Sequence, residues 1–158
     1  MYNIAAVSFG ELFLKGKNRG SFEQRLTDQI KYALKDFNGV TVYKDSGKVY
    51  VETKNHEDMD QIIERVRKIF GISNISPSVK TGKDVDAIID KTLELFAYLL
   101  EKKDIKTFKV KTNRTDKTFP IKSMDFNALV GGKILEKFRS VKVDVHNPDV
   151  EIYIDIKK

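Results

Sequence analysis

The stretch GELFLKGKNRGSFEQRL, residues 10–26, concentrates polar chemistry where the first loop of the chain is expected. Its cationic and amide side chains are Lys15, Lys17, Asn18 and Arg19, with Glu11 among them. A glycine-containing, cationic segment ahead of a helix is suited to binding phosphate, through side chains and backbone N–H groups together. An ordinary surface loop has no need of so many charges. The stretch therefore indicates a phosphate-binding loop.

A second basic tract, residues 102–122, holds eight Lys or Arg side chains against two Asp. That excess equals the net charge of the whole chain, +6. The candidates for phosphate contact within the tract are Lys109, Lys111, Arg114, Lys117 and Lys122. Because side chains alternate along a strand, Lys109 and Lys111 should share a solvent face while Phe108 and Val110 enter the core. We interpret this face as a phosphate-binding surface rather than an idle solvated one.

Two features near the second tract each allow two interpretations. Phe119 could stack on a base, which stabilises a complex by about 1–3 kcal/mol, or it could pin its loop to the core, which we favour. Gly131 and Gly132 lie within a helical pattern, where each glycine costs about 1 kcal/mol relative to alanine. Either another backbone or a sugar-phosphate chain could approach the helix closely there, and both accounts stay open.

The first loop does not match two known phosphate-binding designs. It is not a P-loop, because five residues separate Gly10 from Gly16 and no hydroxyl-bearing residue follows Lys17. Asn18 and Arg19 could mimic the Asn and Arg of an acylphosphatase-like hydrolase, but the loop lacks that enzyme's phosphate cradle. This hydrolase remains the enzymatic alternative.

Composition narrows the other possibilities. The chain has no Cys, so it forms no disulfide and no Cys-ligated metal centre. His56 and His146 lack a second ligand at metal-binding spacing, so no metal site and no catalytic residue are predicted. A pI near 9.3 favours a polyanionic partner. No apolar run approaches the roughly 18 residues of a membrane span, and the N-terminus does not resemble a signal peptide. We expect a cytoplasmic protein without membrane association.

Hydrophobic spacing in the first half predicts the order β-α-β-β-α-β. The predicted elements are a strand at 3–9, a helix at 20–37, a hairpin turning at 45–48, a helix capped by Asn55 and a strand at 72–79. Ser21 with Gln24 should form a capping box, Phe70 should be buried, and Pro77 suits an edge strand. This order is the ferredoxin-like plan.

The second half reads α-β-α-β-β. The predicted elements are a helix from Val85 to about Leu100 capped by Asp84, a strand at 107–112, an irregular stretch at 113–123, a helix at about 124–138, and strands at 141–145 and 150–156. The fold class is therefore α+β. We predict a ferredoxin-like domain at residues 1–80, followed by an α/β domain at residues 81–158.

The first-loop motif occurs together with FKVKTNRTDKTFPIKS (108–123) and VKVDVHNPDVEIYIDI (141–156). This combination resembles the start of the tRNA 4-thiouridine synthetase, or tRNA sulfurtransferase, family. The resemblance covers nearly the whole chain. It implies that the second domain is a THUMP domain, a tRNA-binding module that is also present in RNA methyltransferases.

The resemblance implies an activity that these 158 residues do not carry alone. In the family, an ATP-dependent domain adenylates the O4 carbonyl of uridine 8, and a persulfide sulfur then replaces it; family members also serve thiamin thiazole synthesis. The SGGxDS-like loop and the Cys of that domain are not in this sequence. We therefore expect no cofactor in this chain, ATP in a following domain, and a chain that has been cut at a domain edge. A cysteine desulfurase as sulfur donor and a homodimer are further implied partners.

The resemblance also assigns candidate RNA contacts. Binding of the tRNA acceptor stem and CCA 3′ end would fall to Lys15, Lys17, Asn18 and Arg19 on the first domain, and to Lys109, Lys111, Arg114, Lys117 and Lys122 on the second. A THUMP adaptor acting beside a separate modification enzyme is the alternative that keeps the RNA binding.

Overall fold

A computed structural model describes residues 2–9, 19–45 and 47–158. The chain divides into two units, Met1–Val79 (unit 1) and Lys80–Lys158 (unit 2). Each unit has its own cluster of buried hydrophobic side chains. Each unit is therefore described in turn.

Unit 1 has the predicted ferredoxin-like order. Its elements are β1 (Ile4–Phe9), α1 (Arg19–Ala33), β2 (Val40–Asp45), β3 (Lys48–Thr53), α2 (Met59–Arg67) and β4 (Ile72–Ser78). The four strands form one antiparallel sheet in the order β2-β3-β1-β4. The predicted hairpin joins β2 to β3, and Pro77 lies on the edge strand β4, the position in a sheet where proline is best tolerated.

The core of unit 1 follows from the spacing of its apolar residues. Val7 on β1 and Val49 on β3 are fully buried, as expected for the covered face of a sheet. Leu26 and Ile30 on α1, one helical turn apart, are also buried, and Ile62 lies on the covered face of α2.

Helix α1 begins and ends earlier than the 20–37 predicted from its apolar spacing. Since Arg19 already belongs to the helix, Ser21 lies inside it and the predicted capping box is wrong. Gln24 instead donates to Asp28 Oδ1 at 2.9 Å. After Ala33 the chain tightens into turns of i to i+3 hydrogen bonds, such as the one from the Phe37 N–H to the Leu34 carbonyl at 3.1 Å.

Two expectations for the second helix of unit 1 were also wrong. Asn55 makes no side-chain cap; its Nδ2 donates to the Asn38 carbonyl at 3.4 Å, and a single 3₁₀ turn, His56–Asp58, leads into α2. Phe70 is 83% exposed rather than buried. It lies beyond the end of α2 at Arg67, so the helical spacing no longer governs where its side chain points.

Unit 2 has the predicted order α-β-α-β-β. Its elements are α3 (Val85–Lys102), β5 (Thr107–Arg114), α4 (Ser123–Lys137), β6 (Lys142–Val143) and β7 (Val150–Ile156). Strand β5 is central, and β6 and β7 flank it as parallel neighbours. Asp84 caps α3 as predicted, since its carboxylate accepts a hydrogen bond from the Ala87 N–H at 3.2 Å.

Strands β5 and β6 differ in length from the predicted ones. Strand β5 continues through Asn113 and Arg114 because its pairing with β7 extends to Ile156. Strand β6 has two residues rather than five because the Asp144 carboxylate accepts hydrogen bonds from the N–H groups of His146 and Asn147, which turns the chain.

The core of unit 2 is built on aromatic side chains. Phe96, Phe108 and Phe126 are fully buried, one each from α3, β5 and α4. The rings of Phe96 and Phe108 meet edge to face, with centroids 5.4 Å apart. Both helices therefore contribute to one core with the central strand.

Gly132 in α4 should be replaceable by alanine with a gain in stability. A Cβ atom at Gly132 or at Gly131 would meet nothing within 4 Å, so no described backbone approaches the helix there. Gly132→Ala should raise the free energy of unfolding by about 1 kcal/mol, because alanine is the better helix former. Urea denaturation measures this change.

A matched glycine provides the opposite expectation. Gly39 has φ +74° and its Cβ would lie 3.2 Å from Lys54 Cβ, so Gly39→Ala should lower stability. A loss of stability in Gly132→Ala would contradict the open surroundings of that residue.

Candidate nucleic-acid interface

The strands of unit 2 bring the last part of the second basic tract, residues 114–122, to one edge of the sheet. Because β5 and β7 are parallel, their carboxyl ends lie at the same edge. The loop that follows β5 is tied to the end of β7, since the N–H groups of Thr115 and Asp116 both donate to the Ile156 carbonyl, at 3.0 and 3.1 Å. We call residues 114–122 and 156–158 the carboxyl edge.

Within this edge, the side chains of Arg114 and Lys117 each donate a hydrogen bond to the backbone carbonyl of the other residue. Arg114 Nε donates to the Phe119 carbonyl at 3.2 Å and Nη2 donates to the Lys117 carbonyl at 3.1 Å. Lys117 Nζ in turn donates to the Arg114 carbonyl at 3.1 Å. These three bonds use two of the five guanidinium N–H donors and one of the three ammonium donors. Arg114 therefore shapes the loop and still has donors for a ligand.

Asp116 is a buried carboxylate inside the basic loop. Its side chain is 4% exposed and its Oδ2 lies 2.5 Å from Lys83 Nζ, whose own side chain is half exposed. Its Oδ1 accepts hydrogen bonds from Thr118 Oγ1 at 2.6 Å and from the Thr118 N–H at 3.1 Å. The bond from Lys83, followed by those from Thr118, holds the pKa of Asp116 far below its usual range. The stabilisation it provides is complete above the ordinary Asp pKa and declines as the pH falls below it.

Phe119 pins the loop to the core, in agreement with the interpretation favoured from the sequence. Its side chain is buried and its ring meets that of Phe126 edge to face, at a centroid distance of 5.2 Å. A ring so enclosed has no free face on which a base could stack. Packing of Phe119 against Phe126 therefore fixes the position of the loop that carries Lys117 and Lys122.

The carboxyl edge presents positive charge from side chains and from backbone. Lys117 and Lys122 are exposed, and Lys122 occupies the N-cap position of α4. Helix α4 runs for 15 residues, and its first turn, which starts beside Lys122, carries the positive end of the helix dipole. Phosphate groups are favoured at a helix N-terminus that has cationic side chains beside it.

Lys109 and Lys111 form a second group on the solvent face of the sheet, as predicted from alternation. Phe108 and Val110 are buried on the opposite face. The in-register neighbours on the solvent face are Lys109 with Glu151, Lys111 with Tyr153, and Asn113 with Asp155. Because acids stand beside the lysines, this face is less positive than the carboxyl edge. The five predicted contacts of unit 2 thus divide into an edge group and a face group.

The motif VDVHNPDV, residues 143–150, organises the opposite end of β5. The Asp149 carboxylate accepts hydrogen bonds from the N–H groups of Lys106 and Thr107, at 2.9 and 3.1 Å. These bonds lower the pKa of Asp149. The motif therefore fixes where the central strand starts, and it contributes no cation to the carboxyl edge.

Sequence reasoning missed the interaction of three residues, Asp116 and Thr118 of the edge and Lys83, which contacts Asp116 from the segment before α3. The sequence pattern gave Lys83 no role, and Asp116 appeared in it only as one of the two acids of the basic tract. The spacing of Asp116 and Thr118 was a usable signal, because an Asp often accepts a hydrogen bond from the N–H two residues on. The partnership with Lys83 had no local signal, since 33 residues separate the two.

Some expectations fall on residues that the structure does not describe, and others concern metal sites and membrane spans. Lys15, Lys17 and Asn18 lie outside the described residues, as does the side chain of Arg19. Among residues 2–9, 19–45 and 47–158, no three His, Cys, Asp or Glu side chains are grouped to hold a metal ion. No helix of the same residues is long and apolar enough to cross a bilayer.

Comparison with known proteins assigns both units. Residues 4–76 match the model of the ThiI ferredoxin-like domain, and residues 82–158 match that of the THUMP domain. A probable tRNA sulfurtransferase of Alkaliphilus metalliredigens is 40% identical over 158 residues, which are 100% of this chain and 40% of that protein. The chain belongs to the tRNA sulfurtransferase family. A second member, from Finegoldia magna, is 45% identical over 153 residues, 96% of this chain and 39% of its own length.

Two solved structures share the whole fold with this tRNA sulfurtransferase-family chain. One is a crystal structure of a 4-thiouridine synthetase–RNA complex with bound ATP, with a TM-score of 0.79 and 28% identity over 99% of this chain and 39% of that one. The other is PH1313 from Pyrococcus horikoshii, with a TM-score of 0.78 and 28% identity over 99% of this chain and 51% of that one. The predicted family and fold class are thus confirmed. The chain spans about 40% of the length of the tRNA sulfurtransferases that it matches.

Proposed function

We propose that this chain binds the acceptor stem and CCA 3′ end of tRNA, as the RNA-binding part of an enzyme that makes 4-thiouridine at position 8. The observation that carries the proposal is the carboxyl edge of unit 2. There, exposed lysines lie beside the N-terminus of α4. The loop that carries them is held in place by the hydrogen bonds of Arg114 and Asp116. Family membership supports it, and so does the similarity to a synthetase that was crystallised with RNA.

The edge cations act by position and charge. Lys117 and Lys122 serve as point charges for phosphate oxygens, and Arg114 can offer its remaining donors. Contacts to phosphate fix where an RNA lies without reading its sequence. Selectivity for tRNA then comes from the single-stranded 3′ end and from the shape of the stem. In this proposal the first-loop residues Lys15, Lys17, Asn18 and Arg19 contribute phosphate contacts of their own.

The chemical step belongs, in this proposal, to the part of the family members that these 158 residues do not match. There ATP adenylates the uridine O4 and a persulfide sulfur, supplied by a cysteine desulfurase, replaces it. The same proposal includes a role in thiamin thiazole synthesis, a cytoplasmic location and a homodimer. The whole-chain similarity to sulfurtransferases favours this function over a THUMP adaptor and over an acylphosphatase-like hydrolase.

Binding of two RNAs tests the proposal. The chain should bind an intact tRNA transcript more tightly than the same transcript lacking CCA, in fluorescence anisotropy titrations. If six to eight phosphates are contacted, log K should fall with log salt concentration at a slope of about −4 to −7. Equal affinity for the two RNAs would contradict CCA binding, and a flat salt response would contradict the cationic surface.

A further inference from the structure

Asp116 is out of keeping with the charge of its surroundings. It is the only acid between Lys106 and Ser123, in the most basic part of the chain. A carboxylate beside a phosphate-binding surface repels the ligand, so its presence calls for a compensating role. Burial makes the requirement stronger, because a buried charge must be paired and hydrogen-bonded.

The bonds of Asp116 join three separate parts of unit 2. The carboxylate reaches Lys83, which precedes α3, and Thr118, which lies in the loop. The Asp116 N–H donates to the Ile156 carbonyl at the end of β7. Its own carbonyl accepts the N–H of Phe119 at 3.2 Å. Removing this residue would therefore release the loop from Lys83 and loosen the segment that holds Lys117.

We propose that Asp116 is a positioning residue of the RNA-binding surface. It holds Lys83 and the loop 115–119 in the one arrangement in which the edge cations meet successive phosphates. This inference rests on the proposed tRNA binding. It assigns to a negative side chain a favourable effect on the binding of a polyanion.

Asp116→Asn tests the inference, because the charge change and the loss of positioning are expected to change tRNA affinity in opposite directions. Removal of one negative charge should by itself tighten tRNA binding, whereas loss of positioning should weaken it. We expect the variant to bind intact tRNA about tenfold more weakly than the unaltered chain does, when binding is measured at a temperature at which the variant is folded. The salt slope should also become less negative by about 0.7–0.9 for each phosphate that the variant no longer neutralises. A role in stability alone would leave that slope unchanged in the folded protein.

Asp104→Asn is the matched control, because it removes the same charge from the exposed segment between α3 and β5 and Asp104 makes none of the loop bonds described above. It should bind tRNA as tightly as the unaltered chain or slightly more tightly. If Asp116→Asn does not fold, Thr118→Val removes one donor and no charge, and it should weaken binding several-fold.

The outcomes separate this inference from the proposed function. Unchanged or tighter binding by Asp116→Asn, or by Thr118→Val where that variant is used, would overturn the positioning role while leaving tRNA binding intact. Failure of the unaltered chain to bind tRNA would instead overturn the proposed function.

Discussion

Replacing Lys117 and Lys122 together by glutamate should weaken tRNA binding by about 100-fold or more. A hydrogen bond to a charged group contributes about 1.5–3 kcal/mol, and each 1.4 kcal/mol is tenfold in affinity. Charge reversal adds repulsion from the phosphates. Both side chains are exposed and the described bond of Lys117 is to a carbonyl at the surface, so stability should change little. Anisotropy titrations and thermal unfolding measure the two effects.

The control for this double variant reverses two lysines of unit 2 outside the carboxyl edge. Lys103 follows α3 and Lys133 lies on α4, and both are exposed. Lys103→Glu with Lys133→Glu changes the net charge equally, so long-range attraction falls by a comparable amount. We expect this control to bind tRNA far more tightly than the edge variant does. Equally weak binding by the two variants would show that the edge has no special part in binding.

Phe119→Ala should lower the free energy of unfolding by about 3–4 kcal/mol, since truncation of a buried Phe removes apolar surface from the core and leaves a cavity. Phe119 is buried against Phe126, so the edge-to-face packing of the two rings disappears as well. Urea denaturation followed by circular dichroism measures the change. Phe119→Leu, which keeps an apolar side chain in the same site, should cost clearly less.

The same variant decides how Phe119 is used. A large loss of stability marks the ring as the anchor of the loop. If stability were unchanged in Phe119→Ala and tRNA binding fell several-fold, the ring would instead be a stacking platform, and the packing against Phe126 would not describe the protein in solution.

The order of elements could be predicted because it depends on local spacing. Alternation of Val40 with Val42, and of Val49 with Val51, predicted the hairpin of unit 1, and the burial on β3 has that period. The ends of elements were harder. Apolar spacing continued through Leu34 and Phe37, but the backbone there forms tighter turns, so the residues stay on the covered side without being helical.

The sequence predicted which cationic residues belong to the candidate site, but it did not predict how their side chains interact. The lysines and Arg114 were found from charge alone, and period-two alternation correctly separated Lys111 from Val110. That Arg114 turns its guanidinium onto two carbonyls of its own loop, and that Asp116 reaches Lys83, depends on how α3, β5 and β7 meet. The Asp116–Lys83 pair joins residues 33 positions apart in the chain, and the bonds of Arg114 are made within a loop that has no periodicity, so neither leaves a periodic signal.

Hydrogen exchange of the backbone amides, with and without tRNA, tests most directly whether the carboxyl edge is the RNA-binding surface of unit 2. We expect tRNA to slow exchange in residues 114–122 and in the first turn of α4. Residues 142–149, at the opposite end of the sheet, should exchange as before. Slowing confined to residues 142–149, or unchanged exchange throughout residues 114–126, would contradict RNA binding at the carboxyl edge.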